Sequence, residues 1–252
     1  MPVSARVPLV DLTGSDAPGP ERDAVVATIA KACTDVGFLV VRGHGVADEA
    51  MREIESAARE FFALPEDEKL RCTRTGGAYR GFTPAQRSAL AASRDVETPP
   101  DLCELFTINR FDDPDVARRS GLEPPAPGQL RRGEHSDWGS LTILYTDGEP
   151  GLQIRSPAGV WEDIPMVPGA FVINLGDLMA RWTNGRWTST THRVVVPSDV
   201  RGDRISIAFF QQPAYDALIE CIPTCATPDA PSLFEPITSG EWIVSMLDKT
   251  LY

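Results

Sequence analysis

The chain has 252 residues, 42% hydrophobic and 24% charged, the balance of a soluble globular protein with length for one large domain or two small ones. Its formal charge of −12 excludes an electrostatic grip on nucleic acid or an anionic membrane, which needs clustered Lys and Arg, and leaves small molecules or proteins as expected partners. Five cysteines (Cys33, Cys72, Cys103, Cys221, Cys225) without CxxC or zinc-finger spacing exclude a disulfide framework and a structural zinc, and without an apolar leader or a membrane-length apolar run the expected location is cytoplasmic.

In chain order, VPLVDL at Val7 reads as a short strand, followed by a Pro/Gly-rich turn from Gly14 to Pro20. Val25, Ile29, Ala32 and Val36 then recur at helical spacing, and Gly37 is the expected stop. FLVV (Phe38 to Val41) reads as a buried strand closed by RGHGV. Met51, Ile54, Ala58 and Phe61 mark a second helix, and a third restarts at Leu64-Pro65-Glu66, with proline and acids at its positive end. Cys72 to Thr98 reads as loop and short helix around YRGF, and LCELFTINRF (Leu102 to Phe111) as a strand. Asp113 to Gly133 carries four prolines, which argues against a long packed element there.

The second half changes character. LTILY at 141, LQI at 152, AFVINL at 170, RVVV at 193 and ISIAFF at 205 are β-branched and aromatic runs separated by DGEPG, SPAG, VPG, TNG and SDVRGD. Many short strands at this interval predict an antiparallel sandwich or barrel.

Three histidines are present: His44, His135 and His192. His135 and Asp137 are separated by one residue, so on extended chain both side chains leave the same face. His192, 55 residues after Asp137, begins a further predicted strand and could close the set. Two imidazoles and a carboxylate that leave coordination positions open are the arrangement of a non-haem Fe(II) oxygenase. Taken alone, a His-x-Asp pair is more often a turn or a solvated strand end. Arg204 and Ser206 form R-x-S, again on one face, and an Arg aimed among Ile, Ala and Phe needs an anionic partner, most naturally a carboxylate. The alternative is an exposed Arg at the strand start.

HSDWGSLTIL, GLQIRSPAGVWEDIPMVPGAFVINLGDLMARWTNGRWTSTTHRVV and RISIAFF resemble the C-terminal core of the isopenicillin N synthase-like family of 2-oxoglutarate/Fe(II)-dependent oxygenases. The resemblance continues upstream through VPLVDL, GFLVVRGHGV, FFALPEDEK and DLCELFTI. It implies a mainly β fold with flanking helices, built on a double-stranded β-helix (jelly roll). An N-terminal region over 1–112 would pack on an oxygenase core over 113–252 to make one structural unit. It further implies that His135, Asp137 and His192 hold Fe(II), that Arg204 and Ser206 hold 2-oxoglutarate, and that O2 and a small-molecule substrate react there with release of succinate and CO2.

Weaker readings attach to other residues. The resemblance gives His44 a structural place in the GHG turn, and Asn174 and Asp177 are expected to fix the turn after their strand. Tyr79, Arg80 and Phe82 match a stretch that borders the substrate pocket in this family, with loop packing as the alternative. Phe209, further along the strand of Ser206, is expected on the same pocket wall, with core filling as its alternative.

The resemblance breaks between Phe111 and His135. Only 23 residues lie there, the expected core strand and long helix are not visible in them, and Cys103 replaces the lysine of the family's DLKE-like stretch. The expected jelly roll therefore lacks one strand and that helix. Two rivals stand beside the oxygenase: an iron oxidase like isopenicillin N synthase, whose R-x-S binds substrate instead of 2-oxoglutarate, and a shortened, non-catalytic binding protein. The substrate and the oligomeric state are not legible in the sequence.

Overall fold

In the computed structural model, which describes residues 6–73, 81–87, 89–108, 131–196 and 203–250, the N-terminal strand β1 (Leu9–Asp11) leads into α1 (Pro20–Asp35) and β2 (Phe38–Arg42). Proline begins α1, and Gly37 ends it at φ 62°, its N–H reaching back to the Ala32 carbonyl at 2.8 Å. Only glycine suits this turn, because a Cβ would also lie 1.9 Å from the Thr188 carbonyl oxygen. Two helices follow, α2 (Asp48–Phe62) and α3 (Glu66–Leu70), then β3 (Gly81–Thr83), a 3-10 helix over Leu90–Arg94, and β4 (Leu105–Thr107).

The second half comprises β5 (Arg132–His135), β6 (Leu141–Thr146), β7 (Leu152–Arg155), β8 (Trp161–Asp163), β9 (Phe171–Leu175), α4 (Asp177–Trp182), β10 (His192–Val194) and β11 (Ser206–Gln211). A β12–β13 ribbon (Leu218–Ile219 with Ile237–Thr238) and α5 (Ser239–Thr250) close the described chain.

Two sheets face each other: β1-β2-β9-β6-β11 and β5-β10-β7-β8. Between them Phe38, Val40, Val172 and Leu144 of the first meet Leu152, Ile154 and Val194 of the second, the core that period-two alternation predicts for a jelly roll. On the outer side of the first sheet, Val25, Ile29 and Ala32 of α1 pack on Val10, Leu39, Val41 and Ile173, so the predicted apolar face of that helix covers the sheet. The N-terminal strands are hydrogen-bonded into the core sheet, β2 to β9 and β1 to β2.

Cross-strand polar contacts fix the approach to β11. Arg59 of α2 bonds Glu55 at 2.9 Å and Asp147 at 2.9 Å, and Asp147 accepts the Ile205 N–H at 2.7 Å. The hydroxyl of Tyr145 donates to Glu55 at 2.6 Å, which raises its pKa to about 12. His44 is structural, as expected: its ring stacks on Phe171 at 4.2 Å, its Nδ1 accepts the Val46 N–H and its Nε2 meets the Gly169 carbonyl at 2.9 Å.

Most of the interval expected to lack a strand and a helix, residues 109–130, lies outside the described residues. Its end forms β5, where the sequence suggested loop. Among the described residues β11 pairs with β6 on one side and with no strand on the other.

Candidate metal centre

β5 and β10 are antiparallel neighbours with His135 opposite His192, so two strands far apart in sequence bring their imidazoles to a ring separation of 4.2 Å. Asp137 follows on the β5–β6 loop. Its Oδ1 lies 3.7 Å from His135 Nε2 and 3.6 Å from His192 Nε2. All three side chains are buried, and one donor atom from each lies within 4.8 Å of the others, a set able to hold one metal ion.

Local hydrogen bonds aim the rings. His135 Nδ1 lies 2.7 Å from the Gly133 carbonyl and His192 Nδ1 lies 3.1 Å from the Thr190 carbonyl. A carbonyl only accepts, so each Nδ1 carries a proton, and in a neutral ring so oriented Nε2 keeps its lone pair for a metal. Burial, reinforced by the neighbouring His192, pushes the His135 pKa down and keeps the ring neutral. Burial would raise the Asp137 pKa, but the charge of either neighbouring ring when that ring is protonated, together with the Asn174 and Thr142 hydrogen bonds, outweighs it and holds the carboxyl below its ordinary value.

The carboxylate of Asp137 is divided by its contacts. Oδ2 accepts the Asn174 amide at 2.7 Å and the Thr142 hydroxyl, leaving Oδ1 toward the imidazoles. Thr142 and Asn174 are direct partners across β6 and β9, both on the inward face. Sequence reasoning expected Asn174 to fix the turn after its strand and missed Thr142 altogether. The alternation of LTILY and FVINL, followed inward from Asp137, is the signal that could have found both. Hydrogen-bond partners of metal ligands typically contribute a factor of about 10–100 in metal affinity, so Asn174→Leu is expected to weaken metal binding by that factor in a direct titration.

Asp177 is not a ligand. It accepts hydroxyls from Ser136 at 3.2 Å and Ser189 at 2.7 Å, and its N–H donates to the Asp137 carbonyl at 2.7 Å, joining the two ligand-bearing loops. Burial raises its pKa. The turn before it needs Gly176, where a Cβ would lie 2.2 Å from the Gly139 oxygen.

Further along the barrel face, Ser206 pairs with Thr146, and Ala208 and Leu144 lie between that pair and Thr142. Arg204 enters just before β11. Its Nε bonds the Glu149 carbonyl at 3.2 Å, while its Nη2 is buried without a hydrogen-bond partner among the described residues. Burial pushes its pKa below the ordinary guanidinium value, so the cation sits where an anion would stabilise it. The orphaned Nη2 and a serine hydroxyl on the inward face fit the carboxylate of a small diacid.

Two expected pocket residues lie elsewhere. Phe82 is only 1% exposed, packed edge-on against Phe61 at 5.8 Å with the Lys69 ammonium 5.4 Å from its ring centre, and is core filling. Phe209 is three residues from Ser206, an odd step, so it pairs with Ile143 on the opposite face and is 62% exposed. Phe210, opposite Thr142, shares the face of Ser206 instead. Tyr79 and Arg80 lie outside the described residues.

Known proteins share this geometry's sequence pattern and fold. The family model for the N-terminal region of non-haem dioxygenases in morphine synthesis matches residues 7–126, and that of the 2OG-Fe(II) oxygenase superfamily matches 103–213. Naringenin,2-oxoglutarate 3-dioxygenase of Petunia hybrida is 30% identical, with 98% of this chain and 80% of the relative aligned. That alignment runs to 308 positions, more than the 252 residues here, so the relative carries segments without a counterpart in this chain. Kihadalactone A synthase of Citrus sinensis is 27% identical over 96% of this chain and 92% of its own. Among solved structures, a full-length Neurospora crassa protein crystallised in complex with alpha-KG superposes with a TM-score of 0.81 at 25% identity, covering 96% of each chain.

Proposed function

Since the chain belongs to the 2OG-Fe(II) oxygenase superfamily, we propose that it oxidises an unactivated C–H bond of a small molecule, with His135, Asp137 and His192 holding Fe(II) and Arg204 and Ser206 holding the distal carboxylate of 2-oxoglutarate. The observation that carries this reading is the pairing, in one barrel, of three converging metal donors with a buried guanidinium whose Nη2 has no partner among the described residues. Bound Fe(II) supplies the activation of O2 that couples oxidative decarboxylation of 2-oxoglutarate, giving succinate and CO2, to hydroxylation, desaturation or cyclisation of the substrate.

The protein's own part is binding and orientation. Asp137 offers one oxygen because Asn174 and Thr142 occupy the other, and the imidazoles offer one nitrogen each, so coordination positions stay open for cosubstrate and O2. Leu144, Val172 and Phe38 make the barrel interior apolar, which strengthens the attraction between Arg204 and a carboxylate. Relatives named for 2-oxoglutarate, and a neighbouring structure with alpha-KG, favour this cosubstrate over the oxidase in which R-x-S binds substrate. The relatives' names also favour a small organic substrate. Among the described residues no helix is long and apolar enough to cross a membrane. The five free thiols and the charge of −12 support a reducing cytoplasmic setting and a partner other than nucleic acid.

The test is spectroscopic and then chemical. Anaerobic addition of Fe(II) and 2-oxoglutarate is expected to give a visible metal-to-ligand charge-transfer band, and admitting O2 with a small-molecule panel is expected to give succinate. No band and no succinate would defeat the proposal.

A further inference from the structure

We propose that Asp101, in the DLCE stretch, is a positioning residue for the metal centre that acts on His135 through Gly133; the inference rests on the reading of His135 as a metal ligand. Asp101 is 1% exposed. Its Oδ1 accepts the Gly133 N–H at 2.6 Å and its Oδ2 accepts the Leu90 N–H at 3.1 Å, joining the 3-10 helix to β5. Two residues before the imidazole, the Gly133 carbonyl takes His135 Nδ1 at 2.7 Å. One glycine therefore has its N–H fixed by a buried carboxylate and its carbonyl committed to the tautomer of a ligand ring.

β5 needs such an anchor. It is the outer strand of its sheet among the described residues, and its pairing with β10 is irregular between the His192 and Val194 positions, the stretch that includes Gly133. Glycine adds the widest backbone freedom of any residue immediately before a ligand. The carboxylate supplies a charge-assisted hydrogen bond on the edge of β5 that no strand among the described residues covers. Arg132, whose Nη1 lies 3.7 Å from Asp101 Oδ2 and donates to Cys103 Sγ at 3.4 Å, stands beside it as counter-charge. The packing is close: a Cβ on Gly133 would meet Asp101 Oδ1 at 3.1 Å and the Ala91 nitrogen at 3.2 Å. If the anchor is lost, the Gly133 carbonyl can turn, and His135 loses what keeps its Nε2 aimed at the metal.

The experiment compares wild type, Asp101→Asn, Gly133→Ala and Leu90→Ala by Co(II) titration, Co(II) visible spectrum and apo-protein melting. Asparagine keeps the shape but has one acceptor oxygen for two N–H groups, so D101N is expected to bind Co(II) about 10–100-fold more weakly with an altered ligand-field spectrum. G133A presses on the same contact and is expected to shift both in the same direction. L90A trims a buried side chain of the same helix while leaving the carboxylate contacts, and is expected to lower melting without changing the spectrum. Wild-type affinity and spectrum in D101N would overturn the inference alone. So would loss of affinity in D101N and L90A that merely tracks their loss of melting temperature. A wild-type chain that binds no Co(II) would overturn the metal-site reading and this inference with it.

Discussion

Asp137→Ala is expected to abolish tight Fe(II) binding and, with it, every 2-oxoglutarate-dependent turnover. The carboxylate is the one negative charge of the cluster, buried against two imidazoles whose Nδ1 atoms are tied to backbone carbonyls. Removing a ligand should cost more than the factor of about 10–100 that a ligand's hydrogen-bond partners contribute. The apo protein should also weaken, because the Asn174 amide and the Thr142 hydroxyl lose their shared acceptor, at about 1–3 kcal/mol for each buried donor left unpaired. Asp137→Asn separates the two effects: it keeps the volume and one acceptor, so most stability should return while metal affinity does not. Metal titration and denaturant melts of the three proteins read both. A non-catalytic member of the fold would lose stability in the alanine variant yet keep its binding function, and that outcome would sink the oxygenase reading.

What was legible in the sequence follows from period two. His135, Asp137, Arg204 and Ser206 announced themselves because an x between two polar residues puts both on one side of extended chain, and the apolar runs around 141, 170 and 205 became β6, β9 and β11. The same rule, applied with the correct parity, rejects Phe209 and selects Phe210. Long-range partners were the hidden part. β5 reads RGEH, too short and polar to signal a strand, and among the described residues the N–H and carbonyl of its Gly133 are taken by the Asp101 carboxylate and a histidine ring. α5 also escaped notice, although Thr238 and Glu241 form a reciprocal capping box at its start; Gly240 in its first turn lies where a Cβ would strike Tyr215. Phe82 misled because a residue near a family's pocket motif can still face inward, and here the Phe61 ring packs against it with the Lys69 ammonium over its face.

Arg204→Met is expected to separate cosubstrate binding from metal binding. Truncating one partner of a buried, hydrogen-bonded charge pair costs about 2–5 kcal/mol, so the Kd for 2-oxoglutarate should rise roughly 30- to 5,000-fold while Co(II) affinity stays at the wild-type value. The sign of the stability change is the sharper test. In the apo protein Arg204 is a half-satisfied buried cation: among the described residues Nη2 has no hydrogen-bond partner, and burial already lowers its pKa. Replacing it with an apolar chain of similar length removes that desolvation cost, so the apo melting temperature should hold or rise. A ligand at 100 times its Kd adds about 2.7 kcal/mol to stability, so wild type should show a clear thermal shift with 2-oxoglutarate and the variant almost none. Arg204→Lys should fall between the two, keeping the charge but losing the planar fork. If wild type shows no shift with 2-oxoglutarate, the guanidinium is waiting for the substrate's carboxylate instead, as in the oxidase, and only a substrate panel would then reveal the Arg204 dependence. An apo protein that unfolds more readily in the methionine variant would show Arg204 to be a structural cation held by the Glu149 carbonyl and the Asp147 charge, and would remove the anchor from the mechanism.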